Sequence, residues 1–174
     1  MESVQQVAEC TTAGSEGIDR FASNPEGIKS HFQPCIDTLA SNLTDLGVTD
    51  LSEARIYLGA TAGMRLANIS SQENSSQVMH MIEETFDESP FFFVKGDVKI
   101  LTGQEEGAFS WITTNILAGT FNASSGVQIQ ETTFGSLDMG GASMQIAYEC
   151  VPGKSYFKFY FYFTQIKYNI IYKF

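Results

Sequence analysis

The sequence is poor in cysteine, histidine and basic residues. Three cysteines, two histidines and 10 basic residues occur among 174, against 20 acidic ones. Surfaces that bind nucleic acid or anionic membranes need clustered Lys and Arg, so the net charge of −10 argues against both. An anionic ligand would have to be held by backbone amides and a metal ion. His31 and His80 lie in no motif, and nothing forms a Ser/His/Asp or Cys/His set.

The printed amino end, MESVQQ, lacks the basic and apolar runs of a signal peptide or membrane anchor. Yet four of the seven asparagines begin an Asn-x-Ser/Thr sequon, namely Asn42, Asn68, Asn74 and Asn122. This favours a secreted or lumenal glycoprotein, although a Ser/Thr-rich cytosolic surface would also produce sequons. The simplest expectation is that the true amino terminus lies upstream. Cys10, Cys35 and Cys150 can form one disulfide and leave one thiol.

Helical periodicity is clearest in the first half of the chain. Apolar residues spaced by three and four predict a helix from Pro25 to Leu43, which Pro34 should split into two or kink. The run 55–59 predicts a strand, followed by a small-residue turn at 60–63. Ser70 and Glu73 have the spacing of a capping box for an amphipathic helix over 71–88.

Later segments mix strands and a helix. Residues 92–101 predict strands around a turn at 95–97, and Thr102-Gly103 opens a helix over roughly 105–118. Apolar residues on both sides of Gly140-Gly141 predict a hairpin with a tight turn there. This order of elements indicates an α/β domain over residues 1–150. Residues 151–174 are atypically aromatic, which favours a non-native or alternative end over an aromatic edge-strand pair.

Three segments are candidates for chemistry. In residues 138–143 (DMGGAS), two glycines allow close backbone approach, amides can bind an anion and Asp138 can hold a divalent metal, although ordinary turns have similar sequences. Residues 103–107 (GQEEG) place two carboxylates at a helix start, where favourable interaction with the helix dipole is the simpler explanation. Residues 60–65 (ATAGMR) suit a phosphate, or an ordinary strand-to-helix turn.

Taken in order, three longer segments resemble the second, third and fourth conserved regions of the ectonucleoside triphosphate diphosphohydrolases, or apyrases. They are residues 57–65 (YLGATAGMR), 100–113 (ILTGQEEGAFSWIT) and 134–146 (FGSLDMGGASMQI). The resemblance runs from about Val4 to Tyr148. It implies the superfamily of actin, hexokinase and the seventy-kilodalton chaperones, whose ribonuclease-H-like lobes flank a nucleotide cleft, and it makes this chain most of the first lobe.

The resemblance also implies residue roles. Glu106 corresponds to the general base that activates the attacking water, and Asp138 helps to hold a hydrated Ca²⁺ or Mg²⁺. The phosphates of ATP or ADP would be gripped by the Ser143 hydroxyl and by the amides of Gly140, Gly141, Ala142, Ser143 and Met144. Gln145 and Thr61 would order water near the metal. Phosphoryl transfer of this kind needs positioning and charge neutralisation rather than a covalent nucleophile.

Cys10 and Cys35 match a disulfide of the resembled family, which implies an oxidising, extracellular or lumenal compartment. The family resemblance also implies a place in purinergic signalling. The family's first conserved region and second lobe are absent, and Met144 replaces the usual Thr. A truncated, non-catalytic form that binds nucleotide weakly is therefore the alternative. Membership of another branch of the superfamily, such as the exopolyphosphatases or sugar kinases, fits this sequence less well, because those proteins lack the GQEEG helix start.

Overall fold

A computed structural model of the chain describes residue 10 and residues 17–122 and 132–149. These residues fall into two compact units, an amino-terminal unit that ends at Ile100 and a carboxyl-terminal unit that begins at Leu101. Each mixes helices with strands, which confirms the predicted α/β class. The predicted boundary at residue 150, the aromatic segment 151–174 and Cys150 lie outside the described residues.

The amino-terminal unit is built around two parallel strands joined by helices. Strand β1 (Leu58–Ala60) pairs with β2 (Val98–Ile100), with Leu58 opposite Val98. Parallel strands need a long crossover, which helices α2 (Ala62–Ser70) and α3 (Gln72–Asp87) supply here. The elements are 3₁₀ helices at Ile18–Ser23, Pro25–Gly27 and Leu51–Glu53, α1 at Ile28–Asp45, β1 at Leu58–Ala60, α2 at Ala62–Ser70, α3 at Gln72–Asp87, and β2 at Val98–Ile100.

The core of this unit lies between α1, α3 and the strands. Val78, Ile82 and Phe86 recur every four residues along α3 and are all buried, as the predicted amphipathic pattern requires. Ile28 and Ile36 of α1 belong to the same apolar cluster. Burial of each such side chain stabilises the fold by about 1.5–3 kcal/mol. Ala60, the last residue of β1, is buried in the same cluster, which therefore holds that end of the strand in place.

Polar contacts and a disulfide reinforce the unit. Arg55, just before β1, donates through Nε and Nη2 to Asp97, just before β2, at 2.8 and 2.7 Å. These hydrogen bonds hold the pKa of Asp97 below its usual value. A disulfide joins Cys10 to Cys35 in α1, with 5.4 Å between their Cα atoms. The pairing that the resemblance implied is thereby confirmed.

Several local predictions were wrong. Helix α1 is continuous through Pro34, so the two-helix interpretation fails; packing of the apolar face of α1 outweighs the roughly 3 kcal/mol cost of an interior proline. The capping serine of α3 is Ser71, which accepts from the Asn74 N–H, whereas Ser70 is the last residue of α2. The helix at residues 62–70 begins inside the turn predicted at 60–63, and Phe92 forms only an isolated bridge to Arg55.

The carboxyl-terminal unit consists of a helix packed on a hairpin. Its elements are α4 at Gly103–Leu117, β3 at Ser136–Met139 and β4 at Met144–Ala147. The strands are antiparallel, with Asp138 opposite Gln145. Trp111 and Phe121 stack edge to face in a small core with Ala147. Both the helix and the hairpin were predicted from the sequence, and both are confirmed.

Candidate active site

The two adjacent glutamates of α4 have different local environments. The Thr102 hydroxyl accepts from the Glu105 N–H, and the Glu105 carboxylate accepts from the Thr102 N–H, which is a reciprocal capping box. Glu105 is therefore used in starting the helix. Glu106, one residue later, instead accepts a hydrogen bond from a hairpin side chain. The residue pattern by itself did not distinguish these two carboxylates, and only the family resemblance singled out Glu106.

Near the turn, the hairpin places polar side chains on the face toward α4 and leaves large apolar ones on the other face. Side chains alternate along a strand, and Asp138 and Gln145 share one face because they lie opposite each other. Gln145 is only 1% exposed. On the other face, Leu137 and Met139 are 63% and 69% exposed. The face that packs on α4 thus carries an apolar contact at Ala147 and, nearer the turn, polar groups suited to chemistry.

Gln145 links three of the predicted site residues. Its Nε2 donates to Glu106 Oε2 at 2.9 Å and to Ser143 Oγ at 2.8 Å. Ser143 is itself buried at the end of the hairpin turn. A carboxylate from α4, an amide from β4 and a hydroxyl from the turn are therefore held in one connected group. The structure brings together Glu106, Asp138, Ser143 and Gln145.

One atom of this group is buried with no hydrogen-bond partner in the part of the chain that the structure describes. It is Gln145 Oε1, whose amide nitrogen is already engaged by Glu106 and Ser143. A buried, unsatisfied amide oxygen costs about 1–3 kcal/mol. Such an orphaned acceptor indicates that a donor, such as an ordered water, belongs beside it.

The glycines of the turn are not required by the backbone. Neither Gly140 nor Gly141 has a positive φ. A Cβ added at Gly141 would meet no atom within 4 Å, and one at Gly140 would make only an ordinary contact with the Ser143 carbonyl. The Gly140 N–H donates to that carbonyl at 2.9 Å inside the turn. Folding of the hairpin thus leaves both glycines unexplained, and close approach of a ligand would explain them.

Comparison with known proteins decides the lineage. The model of the GDA1/CD39 (nucleoside phosphatase) family matches residues 1–162. The chain belongs to this family. Among curated GDA1/CD39 relatives, it is 39% identical to ectonucleoside triphosphate diphosphohydrolase 1 of Mus musculus over 159 residues, and 37% identical to ectonucleoside triphosphate diphosphohydrolase 2 of Homo sapiens over 150 residues.

The chain spans less than a third of the length of these GDA1/CD39 relatives. The matches cover 87% and 84% of this chain but 29% of each relative. Ectonucleoside triphosphate diphosphohydrolase 8 of Bos taurus, 37% identical over 155 residues, gives similar coverage, with 86% of this chain and 30% of the relative. The assignment of residues 1–150 to a first lobe stays a prediction.

Thr61, another site residue implied by the GDA1/CD39 resemblance, belongs to the amino-terminal unit. It follows β1 at the N-cap position of α2, but its side chain makes no capping hydrogen bond. Thr61 is exposed and lines a cavity of about 570 Å³ whose walls are mostly apolar and include the consecutive residues 56–61. Its predicted role beside a metal ion stays a prediction.

A metal site in this GDA1/CD39 chain would rest on few protein ligands. Within residues 17–122 and 132–149, no three His, Cys, Asp or Glu side chains cluster as a cation site. The side-chain oxygens on the hairpin's site face include the Asp138 carboxylate, the Gln145 amide oxygen and the Ser143 hydroxyl, and the buried Ser136 hydroxyl lies two residues farther from the turn. Hard oxygen donors suit Ca²⁺ and Mg²⁺, and both ions are often held partly through water and substrate phosphates.

In the described residues, no helix is both long and apolar enough to span a bilayer.

Proposed function

We propose that this chain carries the hydrolytic site of an apyrase, in which water attacks the terminal phosphate of a nucleoside triphosphate or diphosphate. The observation that carries the proposal is the Glu106–Gln145–Ser143 group, held beside a glycine turn that the fold does not require. Family membership supports the same chemistry, since the relatives are named as nucleoside triphosphate diphosphohydrolases.

Glu106 is the proposed general base. A base must be held within hydrogen-bond reach of the proton it removes. The bond from Gln145 Nε2 fixes the orientation of the Glu106 carboxylate, and Gln145 is in turn anchored to Ser143. Glu105 is excluded from this role because its carboxylate closes the capping box at Thr102.

The hairpin turn is the proposed phosphate-binding element. The Gly140 N–H is already used inside the turn. The amides of residues 141–144 and the Ser143 hydroxyl are then the donors for phosphate oxygens. Gly140 and Gly141 contribute by lacking side chains, so that phosphate can approach the backbone closely. Phosphoryl transfer relies on such positioning and charge stabilisation rather than on covalent chemistry with the protein.

The residues present fit a hydrated Ca²⁺ or Mg²⁺. Asp138 offers a half-buried carboxylate, and the unsatisfied Gln145 Oε1 beside it offers an acceptor for a coordinated water. Bound there, the cation would neutralise charge on the phosphates. Asp138 and Gln145 would hold the hydrated ion through water, and Glu106 would accept the proton of the attacking water.

We further propose an extracellular or lumenal setting. The Cys10–Cys35 disulfide is typical of oxidising compartments. All four sequon asparagines are exposed or half-buried, so none is closed to modification by the fold. The substrates would then be extracellular ATP and ADP, as purinergic signalling requires.

The adjacent glutamates provide a matched test. Phosphate release from ATP would be measured for the wild-type chain, Glu106→Gln and Glu105→Gln. Loss of a general base should lower the rate by about 10²–10⁴-fold for Glu106→Gln. Gln at position 105 can still close a capping box, so that control should stay within a few-fold of wild type. Equal losses in both variants would contradict the assignment. Absence of release from folded wild-type protein would favour the truncated, non-catalytic form.

A further inference from the structure

A fully buried amide near the other end of α4 makes four hydrogen bonds. Asn115 is 0% exposed. Its Nδ2 donates to the carbonyls of Trp111 and Phe134, both at 2.9 Å. Its Oδ1 accepts from the Phe134 N–H at 2.8 Å and from the Thr120 hydroxyl at 2.7 Å. Both amide protons and both oxygen lone pairs are used, so only an amide can fill this position.

These bonds pair the side-chain amide of Asn115 with the backbone of Phe134, as the backbone of a neighbouring strand would pair with it. Asn115 pairs with both the N–H and the C=O of one residue. Phe134 lies two residues before β3, which carries Asp138. The apolar contact between Trp111 and Phe121 also joins this region, but apolar contacts are not directional. The hydrogen bonds between Asn115 and Phe134 therefore fix the position of β3 along the axis of α4.

The distances along the two elements match. Glu106 lies nine residues before Asn115, which corresponds to about 13.5 Å along a helix. Asp138 lies four residues after Phe134, about 13 Å along a strand. Strand β3 runs from Phe134 back toward the start of α4. The hydrogen bonds between Asn115 and Phe134 at the end of α4 therefore place Asp138 level with Glu106 at its start. Gln145, opposite Asp138, meets Glu106 there.

We propose that Asn115 is a positioning residue that sets the register of the hairpin on α4 and so aligns Glu106 with Asp138 and Gln145. This role rests on the proposed function for its catalytic consequence, but the alignment itself is a property of the carboxyl-terminal unit. A shift of one strand residue would move Gln145 by about 3.3 Å and turn it to the opposite face.

The test uses Asn115→Asp, which keeps the shape and removes both donors. A carboxylate there would face the carbonyls of Trp111 and Phe134 and repel them. The first readout is the NMR signal of the Gln145 side-chain amide, whose protons report the contacts with Glu106 and Ser143. Phe121→Leu is the control, because it disturbs packing in the same unit without touching the Phe134 bonds.

In folded Asn115→Asp, the signal of the Gln145 side-chain amide should shift, although residue 115 lies about 13 Å from Glu106. In Phe121→Leu, the same Gln145 signal should stay near its wild-type position. The rate constant kcat should fall by about 10²-fold, as for an approximately 1 Å misplacement, with KM for ATP changed much less. Lowering the pH should restore part of the alignment, since a protonated carboxyl regains one donor.

An unchanged Gln145 signal in folded Asn115→Asp would overturn the proposal, as would an equal shift in Phe121→Leu. If Asn115→Asp does not fold, Thr120→Val replaces it, because loss of the Thr120 hydroxyl frees one side of Asn115 Oδ1. A smaller shift of the same signal is then expected, and its absence would refute the role. If wild-type protein releases no phosphate, the proposed function fails, while the NMR comparison still decides the role of Asn115.

Discussion

Removal of the Cys10–Cys35 disulfide should destabilise the amino-terminal unit strongly. The bond joins residues separated by 25 positions in the sequence. Loop-closure entropy for a loop of that length corresponds to about 3.5 kcal/mol of stabilisation. Native domains are stable by only about 5–15 kcal/mol. Loss of the cross-link therefore removes a large share of the stability that holds α1 against α3.

The assay is urea unfolding of the double variant Cys10→Ser/Cys35→Ser, followed by far-UV circular dichroism. Trp111, the single tryptophan, lies in the other unit, so far-UV circular dichroism follows the helices of the amino-terminal unit more directly than tryptophan fluorescence does. With a urea slope of about 1.5 kcal/mol/M, the midpoint should fall by about 2 M. A Cys150→Ser background prevents thiol exchange.

Reduction provides the matched control. Dithiothreitol should lower the wild-type midpoint to that of the double variant and leave the double variant unchanged. An unchanged midpoint after reduction would refute the reasoning. A decrease in the double variant but not in reduced wild type would assign the loss to the serine substitutions instead.

Two further substitutions test the pairing at the strand starts and the hairpin turn. Arg55→Met should destabilise the protein at neutral pH. The hydrogen bonds from Arg55 lower the pKa of Asp97 in the folded state. The pairing therefore stabilises the fold fully above the unfolded pKa of about 3.9, and this stabilisation is lost as the pH falls through the folded pKa. Urea midpoints of the two proteins should therefore converge as the pH falls below the folded pKa of Asp97, and a constant difference would contradict the pairing. Gly141→Ala should change stability by less than about 0.5 kcal/mol, since its Cβ meets no atom within 4 Å. The same variant should weaken ATP binding in calorimetry, and unaltered binding would exclude close phosphate approach at that residue.

Periodicity predicted the elements with strong local patterns. Helices α3 and α4 and the hairpin β3–β4 follow from apolar spacing, capping residues and glycines, and each is present close to the predicted bounds. A strand-to-helix turn at 60–65 was one of two interpretations, but the bounds of α2 were not predicted because the helix is only nine residues long and contains Gly63. Local propensity at Pro34 predicts either two helices or one kinked helix, whereas packing of α1 keeps a single helix through that residue.

The candidate site was only partly readable from the sequence. The pattern GQEEG indicated a carboxylate, but only the structure shows Glu105 in the cap and Glu106 against Gln145. Asn115 was not identified at all. Its one signal is a position four residues after Trp111, on the buried face of α4, where an apolar residue is expected. Its partner Phe134 is 19 residues away, and such pairings depend on the tertiary fold.

The most direct test of hydrolysis by this chain is the release of inorganic phosphate from ATP, ADP and AMP by the purified wild-type protein. The assay is run with calcium or magnesium and repeated after addition of a chelator. The proposed function predicts cation-dependent release from ATP and ADP, with none from AMP and none in the chelator. Release that persists in the chelator, or that is equal for all three nucleotides, would contradict it.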